Sequence, residues 1–248
     1  MISLLLALAA APAGPVDTPR NRYRACLALT RSAPAQAVGK SQAWLGSGGG
    51  IEAAQCLGLA WSAQEKWPEA AAAFEAAARD AESRQDRRRG DLLVEAGNAW
   101  LAAGDPAKAA KAFDSALATG LLPPQLQGEV HLDLGRAAVA RNDPGGARVH
   151  IDKGLALVPG DAFGWYLSAA LARRQNDLAL AREHIARAAG LAADDPAILL
   201  EAGNIAGLSG EKDAALGLYA RAARAAPDSD AGKAARAAIA ANEGPAPR

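Results

Sequence analysis

Few residues in this chain have the type and spacing to do chemistry. Gly39-Lys40-Ser41 ends like a phosphate-binding loop, but such a loop needs glycine five residues before Gly39. Pro34 stands there, and no strand precedes it. The glycine run 48–50 ahead of a helical stretch could turn amide N–H groups toward an anion, and reads as well as a joint between helical segments. His131, His150 and His184 are the three histidines. His150 and His184 fall 34 residues apart in equivalent slots of neighbouring segments. Their helix axes should lie about 10 Å apart, too far to share a metal held at about 2 Å per bond. No histidine has a nucleophile and an orienting acid at a readable spacing. A Cys–His pair would require a free cysteine and the meeting of distant helices. No catalytic residue, metal or cofactor is therefore expected. The basic run Arg84, Arg87, Arg88, Arg89 is interspersed with Glu82 and Asp86 and reads as a solvated helix C-terminus.

Cys26 and Cys56 are the two cysteines, both in the N-terminal quarter. Residues 1–13 are almost wholly apolar and end in Ala11-Pro12-Ala13, a small-x-small pattern that suits signal peptidase, with the mature chain starting near Gly14. The apolar run is shorter than the roughly 20 residues of a membrane-spanning helix. The expectation is export to the periplasm, where a Cys26–Cys56 disulfide would form; two buried thiols are the alternative. Retention of residues 1–13 would instead make the chain a cytoplasmic co-chaperone.

The elements that must position these residues are helices. Half the residues are apolar, yet aromatics make up only 4%, and alanine dominates. Alanine favours helix and lets helices approach closely. It buries little area per residue, so the few large side chains must fill the gaps. With 27 basic and 27 acidic residues, the chain has no electrostatic case for wrapping nucleic acid or coating an anionic membrane.

A helix–turn–helix segment of about 34 residues recurs five times, starting near residues 51, 90, 128, 162 and 196. A small residue marks the first helix of each copy: Gly58, Gly97, Gly135, Ala169, Gly203. Twelve residues on stands Ala70, Ala109, Ala147, Ala181 or Ala215, and four further on Phe74, Phe113, Ile151, Ile185 or Tyr219. The small anchors are spaced 39, 38, 34 and 34 apart. The longer intervals carry extra loop at 84–90 and at 121–128, where Pro123-Pro124 should stop a helix. Turns read Gly104-Asp105-Pro106, Asn142-Asp143-Pro144, Asn176-Asp177-Leu178 and Gly210-Glu211-Lys212. Gly or Asn tolerates the left-handed conformation there, and Asp caps the next helix. Residues 14–50 read as a degenerate copy, 230–242 as a closing helix and 243–248 as a loose tail. Gly154, where the other copies favour alanine, should weaken its helix.

Gly97, Trp100, Gly104, Ala109, Phe113 and Ala116 resemble the tetratricopeptide repeat (TPR) pattern. The resemblance covers about residues 51–229. It implies an all-α solenoid of stacked antiparallel helix pairs, a right-handed superhelix whose first helices line a groove for a peptide or partner protein, and it implies no activity. Helical periodicity gives those helices a second face, opposite the anchors. That face carries Asn98, Leu101, Arg136, Tyr166, Arg173, Arg174 and Asn204. Asn can pair with a peptide backbone, and Arg can fork onto a carboxylate; a plain solvated face is the alternative. The expectation is a non-enzymatic periplasmic scaffold that binds a protein or peptide, or else an accessory subunit of an envelope enzyme or assembly.

Overall fold

A computed structural model describes residues 18–243; the candidate signal segment and nearly all of the expected tail lie outside the described residues. Those described form thirteen α-helices and no strand. They fall into two compact units that divide between Asp86 and Arg87, inside the longer spacing at residues 84–90. The five copies are thus shared out, one to the first unit and four to the second.

The first unit holds α1 (Pro19–Ser32), α2 (Pro34–Gly46), α3 (Gly50–Ser62) and α4 (Trp67–Ser83). Each helix packs on the next, and α1 also packs on α3. Its interior gathers Cys26, Ala37, Val38, Cys56 and Ala60 around a Cys26–Cys56 disulfide whose Cα atoms are 6.3 Å apart. Thr18 caps α1, its hydroxyl accepting from Asn21 N–H at 3.2 Å. The starts of α2, α3 and α4 have no side-chain cap.

The second unit is four hairpins and a closing helix: α5 (Arg89–Ala102) with α6 (Pro106–Ala118), α7 (Pro124–Ala140) with α8 (Pro144–Leu157), α9 (Ala162–Arg174) with α10 (Leu178–Leu191), α11 (Pro196–Leu208) with α12 (Lys212–Ala225), then α13 (Asp230–Glu243). Within three of these four hairpins a large side chain wedges against the glycine of the first helix; in α9–α10 the small residue is Ala169. A Cβ on Gly97 would lie 2.4 Å from the Phe113 ring, on Gly135 2.6 Å from Ile151, and on Gly203 2.5 Å from Tyr219. Gly58 makes the same contact with Phe74 in the first unit, at 2.6 Å. Any side chain on these glycines would wedge the helices apart. Asp105, Asp143 and Asp177 each accept a backbone N–H three residues on and so cap α6, α8 and α10. Asp161 and Asp195 do the same for α9 and α11, while Glu211 makes no such bond to α12.

Two sequence expectations need correcting. Pro124 does not lie in a loop running to residue 128. It sits in the first turn of α7, where its missing N–H leaves no helical bond unmade, and α7 is 17 residues long. Gly154 does not interrupt α8, which runs unbroken to Leu157. A Cβ there would lie 2.7 Å from Leu132 and 2.9 Å from the Gly128 carbonyl, so glycine lets α7 and α8 close backbone to side chain.

Candidate functional site

Successive first helices of the second unit, α5, α7, α9 and α11, are spatial neighbours, so the residues opposite their anchors share one face. The structure divides the expected site residues on that face into two groups. One is committed to internal bonds. The Arg173 guanidinium donates from Nε to Glu201 Oε1 at 2.6 Å, and Glu201 is only 4% exposed. Asn204 donates from Nδ2 to the other oxygen of Glu201 at 3.3 Å and accepts the Tyr219 hydroxyl proton at 3.1 Å. A buried carboxylate with one partner removed is expensive, so Arg173 and Asn204 hold α9, α11 and α12 in place. They are positioned as structure before they are available to a ligand.

The other group faces outward. Arg136, exposed, pairs with Asp133 at 2.8 Å and lies 5.7 Å from the centre of the Phe163 ring. Phe163 is 46% exposed and stacks on Tyr166 with ring centres 5.8 Å apart. Burial raises the Asp133 carboxyl above its ordinary value, although Arg136 pulls the other way; burial likewise raises the Tyr166 phenol, with Glu201 adding to it. Arg174 has no hydrogen bond or ion pair among the described residues. It stands with Arg136 on a cleft of about 410 Å³ between α7 and α9, walled by Val139, Leu167 and Leu171 and floored by Ala140 and Ala170. A smaller recess past Asn142 and Gln175 continues from the Arg174 end. Asn98 is exposed on α5, and half-buried Leu101 packs onto the α5–α7 core; neither lines the cleft.

Three polar arrangements were not read from the sequence. The Ser168 hydroxyl is 2.8 Å from His184 Nδ1, and Arg148 donates to the same hydroxyl at 2.6 Å and to the Ser168 carbonyl at 3.2 Å. The Ser168 hydroxyl thus joins Arg148 to His184, with the donor in the second bond set by the His184 tautomer. Ser168 is fully buried, so its oxygen has no route to a substrate. These bonds tie α8, α9 and α10 together. The sequence signal was a serine in a slot otherwise small or apolar. His131 and His150 meet across the α7–α8 hairpin, Nδ1 to Nδ1 at 3.2 Å; the sequence comparison paired His150 with His184 instead. Glu201 was legible only as a lone charge in the apolar run 197–203.

In the first unit, Gly39-Lys40-Ser41 lies on α2, and the buried Ser41 hydroxyl donates to the Ala37 carbonyl at 2.8 Å. It offers nothing to a phosphate. A cleft of about 330 Å³ opens between α1 and α2, lined by Leu29, Lys40, Trp44 and the Cys26 side of the disulfide.

No protein-family model matches the chain, and no curated protein matches it. Solved structures do. PilW, described as a widely conserved type IV pilus biogenesis factor, superposes with a TM-score of 0.72 at 17% identity, covering 89% of this chain and 99% of its own. Pseudomonas aeruginosa PilF gives 0.69 at 17% identity over 89% and 97%. YrrB, described as a TPR protein with an unusual peptide-binding site, gives 0.53 at 17% identity over 79% and 96%. The chain has the TPR fold, an all-α solenoid of stacked helix pairs.

Proposed function

We propose that the second unit is a non-enzymatic docking platform for a segment of a partner protein, anchored in the α7–α9 cleft. The observation that carries this is the cleft's make-up: aliphatic walls around a volume fit for a large apolar side chain, with Arg136 and Arg174 at its rim. Apolar anchors with adjacent arginine are what recognition surfaces concentrate. A partner segment that places an apolar residue beside a carboxylate would satisfy both, since Arg174 has no ion pair among the described residues. The fold supports the reading, as YrrB is described as binding peptides, and the exposed Phe163 extends the same surface.

A photoreactive residue in place of Phe163 should crosslink a discrete partner in whole cells. Adding Ala170→Phe to fill the cleft, or Arg136→Ala with Arg174→Ala, should remove that adduct while circular dichroism stays unchanged. Arg173 is left intact, because its loss would strand Glu201. Identical adducts from parent and variants would refute the cleft as the anchor.

We further propose export to an oxidising compartment, supported by the apolar start of the sequence and by the placing of Cys26 against Cys56. Sequencing the N-terminus of protein from its native cell should find Gly14. Finding Met1 would favour the cytoplasmic alternative.

A further inference from the structure

We propose that His131 and His150 form a binding site for a late first-row divalent metal ion, zinc or copper(II), with water completing the coordination. The geometry carries it. Two nitrogens each about 2.0–2.1 Å from a tetrahedral ion lie roughly 3.3 Å apart, and the two Nδ1 atoms are 3.2 Å apart. The rings come from one hairpin, His131 on α7 and His150 on α8, with their centres 5.5 Å apart and their Nδ1 atoms head to head; a small turn of each ring brings both lone pairs onto an ion. Without metal, one Nδ1 must carry a proton and donate it to the other; two bare nitrogens would face each other lone pair to lone pair. An ion accepts both lone pairs and leaves both Nε2 atoms protonated.

The choice of ion follows from the ligands. Imidazole without thiolate suits zinc, copper and nickel better than magnesium or calcium. Both rings are half-buried, leaving them reachable. Burial lowers both imidazoles, which favours the neutral form that ligation requires. Asp114, on α6, is near enough for its charge to act on both rings and to favour a cation between them. Lys153 opposes it at both rings, and at His150 Arg141 opposes while Asp143 favours. No group of three histidine, cysteine or carboxylate side chains gathers for a metal among the described residues. The site therefore has two protein ligands, and its affinity should be micromolar rather than that of a closed structural site.

The test uses the full chain without a histidine tag. Zinc chloride titrated into it calorimetrically should give one ion per chain. His131→Asn and His150→Asn should each weaken binding by well over the roughly tenfold that losing an outer-shell partner costs, and His184→Asn should leave it unchanged. Copper(II) bound to the parent protein should show two equivalent nitrogens by electron paramagnetic resonance. That measurement stands even where a variant folds poorly. No zinc binding by the parent, undiminished binding by His131→Asn, or a spectrum with one nitrogen would each overturn the site.

Discussion

The first unit closes its α1–α2 hairpin onto α3 with a disulfide, whereas the second, among its described residues, closes its hairpins by packing, capping and polar side-chain bonds. Between α1 and α2 no glycine–aromatic wedge appears, though Trp44 of α2 packs on Gly49 at the start of α3, and only Thr18 provides a side-chain cap. In the second unit Phe113, Ile151 and Tyr219 fill their glycine hollows, and five aspartates cap helices. Burying one such side chain is worth about 1.5–3 kcal/mol, and a cap about 1 kcal/mol. A crosslink across 30 residues contributes about 3 kcal/mol through the unfolded chain. Where the repeat pattern has decayed, one covalent bond stands in for several local terms.

The largest expected effect breaks the second unit's device. Gly97→Leu sets a branched side chain where even a Cβ would lie 2.4 Å from Phe113, which is itself fully buried and cannot swing away. The destabilisation should exceed the roughly 1–3 kcal/mol of ordinary overpacking. Urea denaturation reads it as a lower midpoint, and an unchanged midpoint would mean the wedge is not what holds α5 to α6. Next comes the first unit's device. Reducing the disulfide, or making Cys26→Ala with Cys56→Ala, should cost about 3 kcal/mol. Amide exchange should speed up across α1–α3 and stay unchanged across α7–α12. Uniform acceleration along the chain would erase the distinction between the units.

The repeat was legible because its signal is spacing: glycine, then alanine twelve on, then a large apolar residue four further. A large residue held at one interval in an alanine-rich chain is hard to produce except by packing. Turn residues were legible for a similar reason. Gly104, Asn142, Asn176 and Gly210 do adopt positive φ, a conformation few other residues accept without strain. The committed polar groups were not legible. Arg173 and Glu201 are 28 residues apart, and which way a side chain on a helix edge turns depends on a neighbour that periodicity cannot see. The same limit hid the pairing of His131 with His150: the sequence shows equivalent slots in adjacent repeats, not which slots face each other across a hairpin. Proline at 124 was ambiguous for a different reason, since the residue that ends one helix also opens the next.

A smaller change would make the first unit resemble the second. Glu65 occupies the turn slot that Gly104, Asn142, Asn176 and Gly210 fill elsewhere, with φ of 56°. A left-handed backbone costs an L-residue about 1–2 kcal/mol, and glycine loses about 0.5–1 kcal/mol in chain entropy. Glu65→Gly should therefore stabilise α3–α4 by about 0.5–1 kcal/mol, seen as slower amide exchange there. Destabilisation would show that the Glu65 side chain contributes more than its backbone strain removes.

The mildest test is acid, and it separates the units because all three histidines lie in the second. His184 is held below its ordinary value of 6.5, first by burial and then by Arg148 and Arg187, with Glu183 and Asp152 pulling the other way. A histidine depressed in the folded state is protonated more readily in the unfolded one, so acid favours unfolding. Stability of the second unit should be flat above about pH 7, fall as the pH drops through the ordinary histidine value near 6.5, and level off below the depressed folded value. His131 and His150 are shifted the same way by burial. The first unit has no histidine to titrate in that window. Amide exchange measured at pH 7.5 and 5.5, corrected for intrinsic rates, should show α7–α10 losing protection while α1–α4 keep theirs. His184→Gln, which retains a partner for the Ser168 hydroxyl, should reduce the loss. An equal loss in both units would trace the acid response to carboxylates, and the histidine contacts would then contribute nothing to the difference between them.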